Sequence, residues 1–246
     1  MPSRYLVPLA QQGDGPPIFI VPSAAATFFS FVTLARTLSA PGPIYSFSLT
    51  ELEVSPSAHP TLESLADVLI EELRAVRPSG PYWIGGHCWG GIVAHHMTSR
   101  LEALGEEVKG LFLMESFVPL AAGHHRAEDA SAAAKLHVAM QSILDETLAD
   151  TRNKLARMPK AHVDRLVELT EKQIQTSAVY IPSTIQAPAR LFRTDTNDPI
   201  AFEGWGSLCP GGYSVQAVSG ATHSMLEEPH VKTLCSELEA FLEARG

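Results

Sequence analysis

Trp83-Ile84-Gly85-Gly86-His87-Cys88-Trp89-Gly90-Gly91 has the spacing of a nucleophile elbow, G-x-S-x-G, with a cysteine at the serine position. In that motif the reacting side chain stands on a tight strand-to-helix turn whose strained backbone lifts it above the sheet. Gly86 and Gly90 flank Cys88 at the two places where strand and helix come too close for a β-carbon. The neighbouring residues supply the context the motif needs. Tyr82 to Gly85 is a short apolar run suited to a buried strand. Ile92, Val93, His96, Met97 and Leu101 then recur at helical spacing until Gly105 gives a stop.

On either side of the elbow, strand-like and helix-like segments alternate, the pattern of an α/β fold with a mostly parallel central sheet and helices on both faces. Strands are expected at Ile18 to Val21, Pro43 to Leu49, Val108 to Met114, Ala189 to Arg193 and Tyr213 to Val218. A helix is expected from Thr27 to Leu38, and another closes the chain from Val231 to Leu242. Leu62, Leu65, Ala66, Leu69, Ile70 and Leu73 form an apolar stripe behind a Pro60-Thr61 start signal. From Ala127 to about Tyr180 the period is helical, with no strand signal between Met114 and Ala189. An insertion of that length, about 117–182, predicts a helical lid over the site.

The 246 residues, 45% hydrophobic and without repeat or linker, fit one domain spanning 1–246. The longest apolar stretch, Ile18 to Phe29, is broken by Pro22 and far too short for a bilayer, and no leader pattern opens the chain. A soluble, cytoplasmic protein without membrane contact is expected. A formal charge of −9 argues against nucleic acid. Three widely spaced cysteines give neither a disulfide framework nor a metal pattern. Cys235 shares a helical face with Val231, Leu234, Leu238 and Leu242 and reads as core, while Cys209 lies in a Pro/Gly-rich turn.

A thiol nucleophile needs a base, because a free cysteine with pKa about 8.5 is only a few per cent thiolate at neutral pH. His223 follows the last strand and precedes the last helix, where a loop can reach over the sheet edge to the elbow. His87 belongs to the elbow but points away from the reacting atom and reads as structural. The pairs His95/His96 and His124/His125 lack partners at metal spacing and read as helix-surface or loop residues. The imidazole in turn needs an acid. Glu115 ends the strand after the elbow helix, and Asp195 and Asp198 follow the strand after the insertion. Each keeps the chain order nucleophile, acid, histidine.

Several segments together resemble the thioesterase domains that terminate nonribosomal peptide and polyketide synthases. They are Pro17-Ile18-Phe19-Ile20-Val21-Pro22-Ser23-Ala24, Pro78 to Gly86, Leu104 to Val108 with Leu111 to Ser116, Gly204-Trp205-Gly206, and His223-Ser224-Met225-Leu226 with Pro229-His230-Val231. The resemblance implies an α/β-hydrolase fold and a Cys88, His223, Glu115 triad, with Asp198 as the alternative acid. It implies an oxyanion hole from the backbone N–H groups of Trp89 and of Ser23 or Ala24. Two positions depart from the family's habit: cysteine replaces the usual serine, and glutamate the usual aspartate. The implied substrate is an acyl or peptidyl chain carried on the phosphopantetheine of a carrier protein, released by hydrolysis or cyclisation with no cofactor or metal. A cysteine hydrolase of the dienelactone hydrolase kind and a non-catalytic binding protein are the alternatives. Arg152, Lys154, Arg157, Lys160, Arg165 and Lys172 outnumber Asp164, Glu168 and Glu171 in the insertion, a local basic excess suited to steering an acidic carrier.

Overall fold

A computed structural model describes residues 4–24, 26–49, 61–119 and 158–244, with scattered positions between 138 and 152. Its sheet has seven strands: β1 (Leu6–Ala10), β2 (Ile18–Val21), β3 (Ile44–Phe47), β4 (Tyr82–His87), β5 (Val108–Met114), β6 (Ala189–Arg193) and β7 (Tyr213–Ala217). The order is β1-β3-β2-β4-β5-β6-β7, and only β1 runs antiparallel to its neighbour. The helices are α1 (Val32–Thr37), α2 (Leu62–Val76), α3 (Trp89–Ala103), α4 (Lys160–Val179), the single turn α5 (Trp205–Leu208) and α6 (Val231–Glu243).

Two apolar layers sandwich the sheet. β4 is buried along its whole length, as a central parallel strand covered on both faces must be. Ile84 faces a cluster with Leu65, Leu69, Trp89, Val93, Met97 and Trp205, and Trp83 faces the opposite one with Phe31, Leu34, Leu234, Leu238 and Phe241. The stripe expected on α2 is buried at every position, from Leu62 to Leu73. A capping box starts that helix: the Thr61 hydroxyl accepts from the Ser64 N–H at 3.1 Å, and the Ser64 hydroxyl accepts from the Thr61 N–H at 3.3 Å. Such a cap is worth about 1 kcal/mol.

Three expectations need correction. β1 precedes the first strand read from sequence, and Pro8 within it hides the strand signal, because proline is tolerated only at a sheet edge. What holds β1 is distant in sequence: the Glu72 carboxylate accepts from the N–H groups of Arg4 and Tyr5, both at 2.7 Å. The helix expected over Thr27 to Leu38 opens instead as a 3₁₀ turn, Phe28–Phe31, before α1. His95, read as a surface residue, is fully buried on α3, because Trp205 of α5 packs against its ring at 5.2 Å.

Of the insertion expected over about 117–182, residues 120–137 and most of 138–157 lie outside the described residues. In its described part, α4 packs on α2 and α3. The segment leaving it is pinned by Glu102, whose carboxylate accepts from the N–H groups of Gln186 and Ala187, the latter at 2.5 Å.

A β-carbon on Gly86 would be driven into the Gly90 carbonyl, and one on Gly90 into the carbonyls of Val21 and Pro22. These obstacles are backbone and cannot swing aside. Gly86→Ala is therefore expected to destabilise the fold by about 1–3 kcal/mol, the usual cost of overpacking, and to displace the elbow. Thermal denaturation checks the first consequence and the acylation assay below the second.

Candidate active site

Cys88 sits between β4 and α3 with φ 52° and ψ −122°. Among the described residues, Cys88 and Glu115, with φ 46°, are the two that hold a positive φ without being glycine. Such conformations cost on the order of 1–3 kcal/mol and persist where the surroundings over-determine them. At Cys88 the N–H donates to the Met114 carbonyl at 2.8 Å, and the carbonyl accepts from the Gly91 N–H at 3.1 Å. At Glu115 the N–H donates to the Phe192 carbonyl at 2.9 Å. Met114 immediately precedes Glu115, so one hydrogen bond joins the elbow to the strand end that carries the acid.

Glu115 is only 2% exposed. Its carboxylate accepts from the Thr194 N–H through one oxygen and from the Asn197 side-chain amide at 2.7 Å through the other. Burial raises the carboxyl above its ordinary range, while these hydrogen bonds and the Arg193 guanidinium pull it back. The two other acids are placed differently. Asp195 is 96% exposed and lies 3.9 Å from Arg193. Asp198 is exposed, and its carboxylate accepts from the Ile200 N–H at 3.0 Å, capping the 3₁₀ turn Pro199–Phe202.

His223 lies just before the 3₁₀ turn Ser224–Leu226, past the end of β7. Its ring centroid is 6.1 Å from that of His87, with the planes 69° apart. Since His87 adjoins Cys88, the last loop does reach the elbow. His87 is buried and donates from Nε2 to the Thr222 carbonyl at 2.6 Å, which fixes its tautomer. Ser23 and Ala24, both buried, follow β2, whose Val21 pairs with Gly86. They leave the sheet beside the elbow. Trp89 opens α3, where the first N–H groups of a helix have no intrahelical acceptor. Its indole is buried too, and among the described residues Nε1 has no hydrogen-bond partner.

The remaining candidates fall away from this edge. Burial pushes the thiols of Cys209 and Cys235 up to about 12, so both are protonated and inert at neutral pH. Burial lowers His95 to about 4, where it stands tilted against Trp205 at 5.2 Å. His96 bonds the Tyr180 hydroxyl through Nδ1 at 3.0 Å. His124 and His125 lie outside the described residues, as do Lys154 and Arg157 of the basic stretch. On α4, Lys160 pairs with Asp164 at 2.5 Å, and Arg165 and Lys172 are exposed. No group of three or more His, Cys, Asp or Glu among the described residues could hold a metal, and no described helix is long and apolar enough to cross a membrane.

The model of the thioesterase domain matches residues 16–242. The chain belongs to that family. A probable non-canonical nonribosomal peptide synthetase of Salinispora arenicola, CymA, is 35% identical over 140 residues, which cover 56% of this chain and 2% of that protein. Atromentin synthetase of Tapinella panuoides is 28% identical over 155 residues, 63% of this chain and 16% of that protein. The thioesterase domain thus spans a small part of each relative's length. A solved NocB thioesterase domain, in covalent complex with a fluorophosphonate nocardicin G analog, superposes with a TM-score of 0.76 at 24% identity, covering 97% of this chain and 99% of that one. The shared fold is that of an α/β-hydrolase.

Asn197 is the residue that the sequence does not single out. It stands in Thr194-Asp195-Thr196-Asn197-Asp198, a loop in which the charged neighbours draw attention. Nothing local marks an amide as the partner of a carboxylate 82 positions earlier.

Proposed function

We propose that this thioesterase domain releases an acyl or peptidyl chain from the phosphopantetheine thioester of a carrier protein, through an acyl-cysteine on Cys88, in nonribosomal peptide or polyketide biosynthesis. The observation that carries the reading is the pair of strained residues, Cys88 and Glu115, on strand ends joined by a hydrogen bond. Strain of this kind concentrates at reacting groups.

In this mechanism His223 takes the thiol proton and the Cys88 sulfur attacks the thioester carbonyl. The carbonyl oxygen becomes negative and meets the N–H groups of Trp89 and of Ser23 or Ala24. Collapse breaks the bond to the pantetheine sulfur, which leaves as a thiol with the proton returned from His223. Glu115 orients the imidazole and stabilises its charged form. His223 then deprotonates water, giving a carboxylic acid, or a hydroxyl or amine within the chain, giving a lactone or lactam.

A cysteine changes the energetics of the intermediate. Exchange of one thioester for another is close to thermoneutral, whereas serine would give a more stable and less reactive ester. Acyl-Cys88 keeps its acylating power, which suits cyclisation by a weak internal nucleophile. Incubation with an acyl-pantetheine thioester followed by mass spectrometry tests the reading: an acyl adduct on the Cys88 peptide supports it, and an unmodified chain after thioester exposure refutes it.

Arg165 and Lys172 on α4 belong, with Arg152, Lys154 and Arg157, to a stretch whose basic excess suits an acidic carrier protein, while α4 itself balances Lys160, Arg165 and Lys172 against Asp164, Glu168 and Glu171. Complementary charge of this kind raises association rate more than affinity and is screened by salt. Reversing Arg165 and Lys172 to glutamate is expected to slow reaction with a carrier-bound substrate, with a loss that shrinks as salt rises. Reaction with the small pantetheine thioester is expected to be spared. Equal losses on both substrates would refute the docking role.

A further inference from the structure

Thr222, the residue before His223, is held from two sides. Its carbonyl accepts from His87 Nε2 at 2.6 Å, and its hydroxyl accepts from the Asn197 side-chain nitrogen at 2.8 Å. That same nitrogen donates to Glu115 at 2.7 Å. A carboxamide has two N–H bonds, and Asn197 directs one at the acid and the other at the histidine loop. Three parts of the sheet edge converge here: His87 from the elbow strand, Glu115 with Asn197 from the ends of β5 and β6, and Thr222 from the loop after β7. Thr222 is itself buried, so its hydroxyl has an accepted partner to lose rather than solvent to exchange with.

Glutamate explains why such a device is useful at this position. Its extra methylene adds a rotatable bond compared with aspartate, and a carboxylate that wanders cannot orient an imidazole. The Thr194 N–H fixes one oxygen and the Asn197 amide the other. We propose that Asn197 and Thr222 are positioning residues, which set the Glu115 carboxylate and the His223 loop in register through one shared amide. The proposal rests on the thioesterase reading above and adds residues that the nucleophile, acid, base pattern does not contain.

The test compares Thr222→Val, which keeps the shape and removes the hydroxyl, with Thr222→Ser, which keeps the hydroxyl. Asn197→Ala and the Asn197→Ala/Thr222→Val pair complete a cycle. Acylation of Cys88 by an acyl-pantetheine thioester is followed by mass spectrometry, with far-UV circular dichroism confirming that each variant is folded. Thr222→Val and Asn197→Ala are each expected to slow the limiting acylation rate by tens-fold or more with little change in KM. Thr222→Ser is expected to stay within a few-fold of the parent. The double variant is expected to lose hardly more than Asn197→Ala alone, because that change already removes the bond to Thr222 together with the one to Glu115. Wild-type rates in Thr222→Val, equal losses in the serine and valine variants, or fully multiplicative losses in the double would each overturn the inference while leaving the thioesterase reading intact. A parent protein that never acylates would overturn both.

Discussion

Cys88→Ala is expected to abolish covalent capture of an acyl-pantetheine thioester, while Cys235→Ala leaves turnover largely intact. The contrast follows from where the three thiols lie. Cys88 stands on the strained turn, with its N–H tied to Met114 and the following helix opening directly after it. Cys235 is buried in the α6 layer with its sulfur 3.8 Å from the Leu34 carbonyl, and Cys209 is buried beside α5. Burial holds both of those thiols protonated, so neither supplies a nucleophile at neutral pH. Peptide mapping after incubation reads the result, and an adduct that persists in Cys88→Ala would sink the assignment. Cys88→Ser adds a second measurement. An oxygen nucleophile on the same elbow is expected to form a longer-lived acyl-enzyme, because an ester is the less activated acyl donor. Accumulation of acyl-serine with slower release checks the argument that the sulfur keeps the second step fast.

The parts of this molecule that can be read from sequence are those whose physical cause is local. The elbow is a matter of glycines within two residues of Cys88, and the backbone obstacles facing Gly86 and Gly90 bear that out. The α2 stripe needs only helical periodicity, and all six of its positions are buried. Chain order places His223, and its ring does lie against that of His87. What escapes has its cause far along the chain. β1 is held by Glu72, 66 to 68 positions away, against the poor strand signal of a proline. His95 is buried against Trp205, 110 positions further along, which the α3 sequence does not record. Asn197 bridges Glu115 and Thr222 across 82 and 25 positions. Each of those is a tertiary contact that leaves no period and no motif.

Glu115→Gln is expected to lower turnover by about three to four orders of magnitude, the usual cost of losing the triad carboxylate, while Asp198→Asn changes it little. Glutamine keeps the length and most of the packing of Glu115, so the change removes mainly the charge that favours an imidazolium. It also offers one acceptor oxygen where the carboxylate offers two, and either the Thr194 N–H or the Asn197 amide loses its partner. Thermal melts of both variants separate that structural loss from the catalytic one. Asp198 serves the loop instead, since its carboxylate caps an exposed 3₁₀ turn, and asparagine caps as well as aspartate. The pH dependence gives a second reading of the same triad acid. Because burial raises the Glu115 carboxyl, it takes up a proton at higher pH than an exposed glutamate, and the orienting charge is lost as pH falls through that raised value. The acid limb of the rate profile is therefore expected above the ordinary glutamate range. In Glu115→Gln that carboxyl contribution disappears, leaving the residual rate to follow the thiol and the imidazole alone. The reverse ranking, with Asp198→Asn the crippled variant and Glu115→Gln nearly unimpaired, would move the acid to the loop after β6.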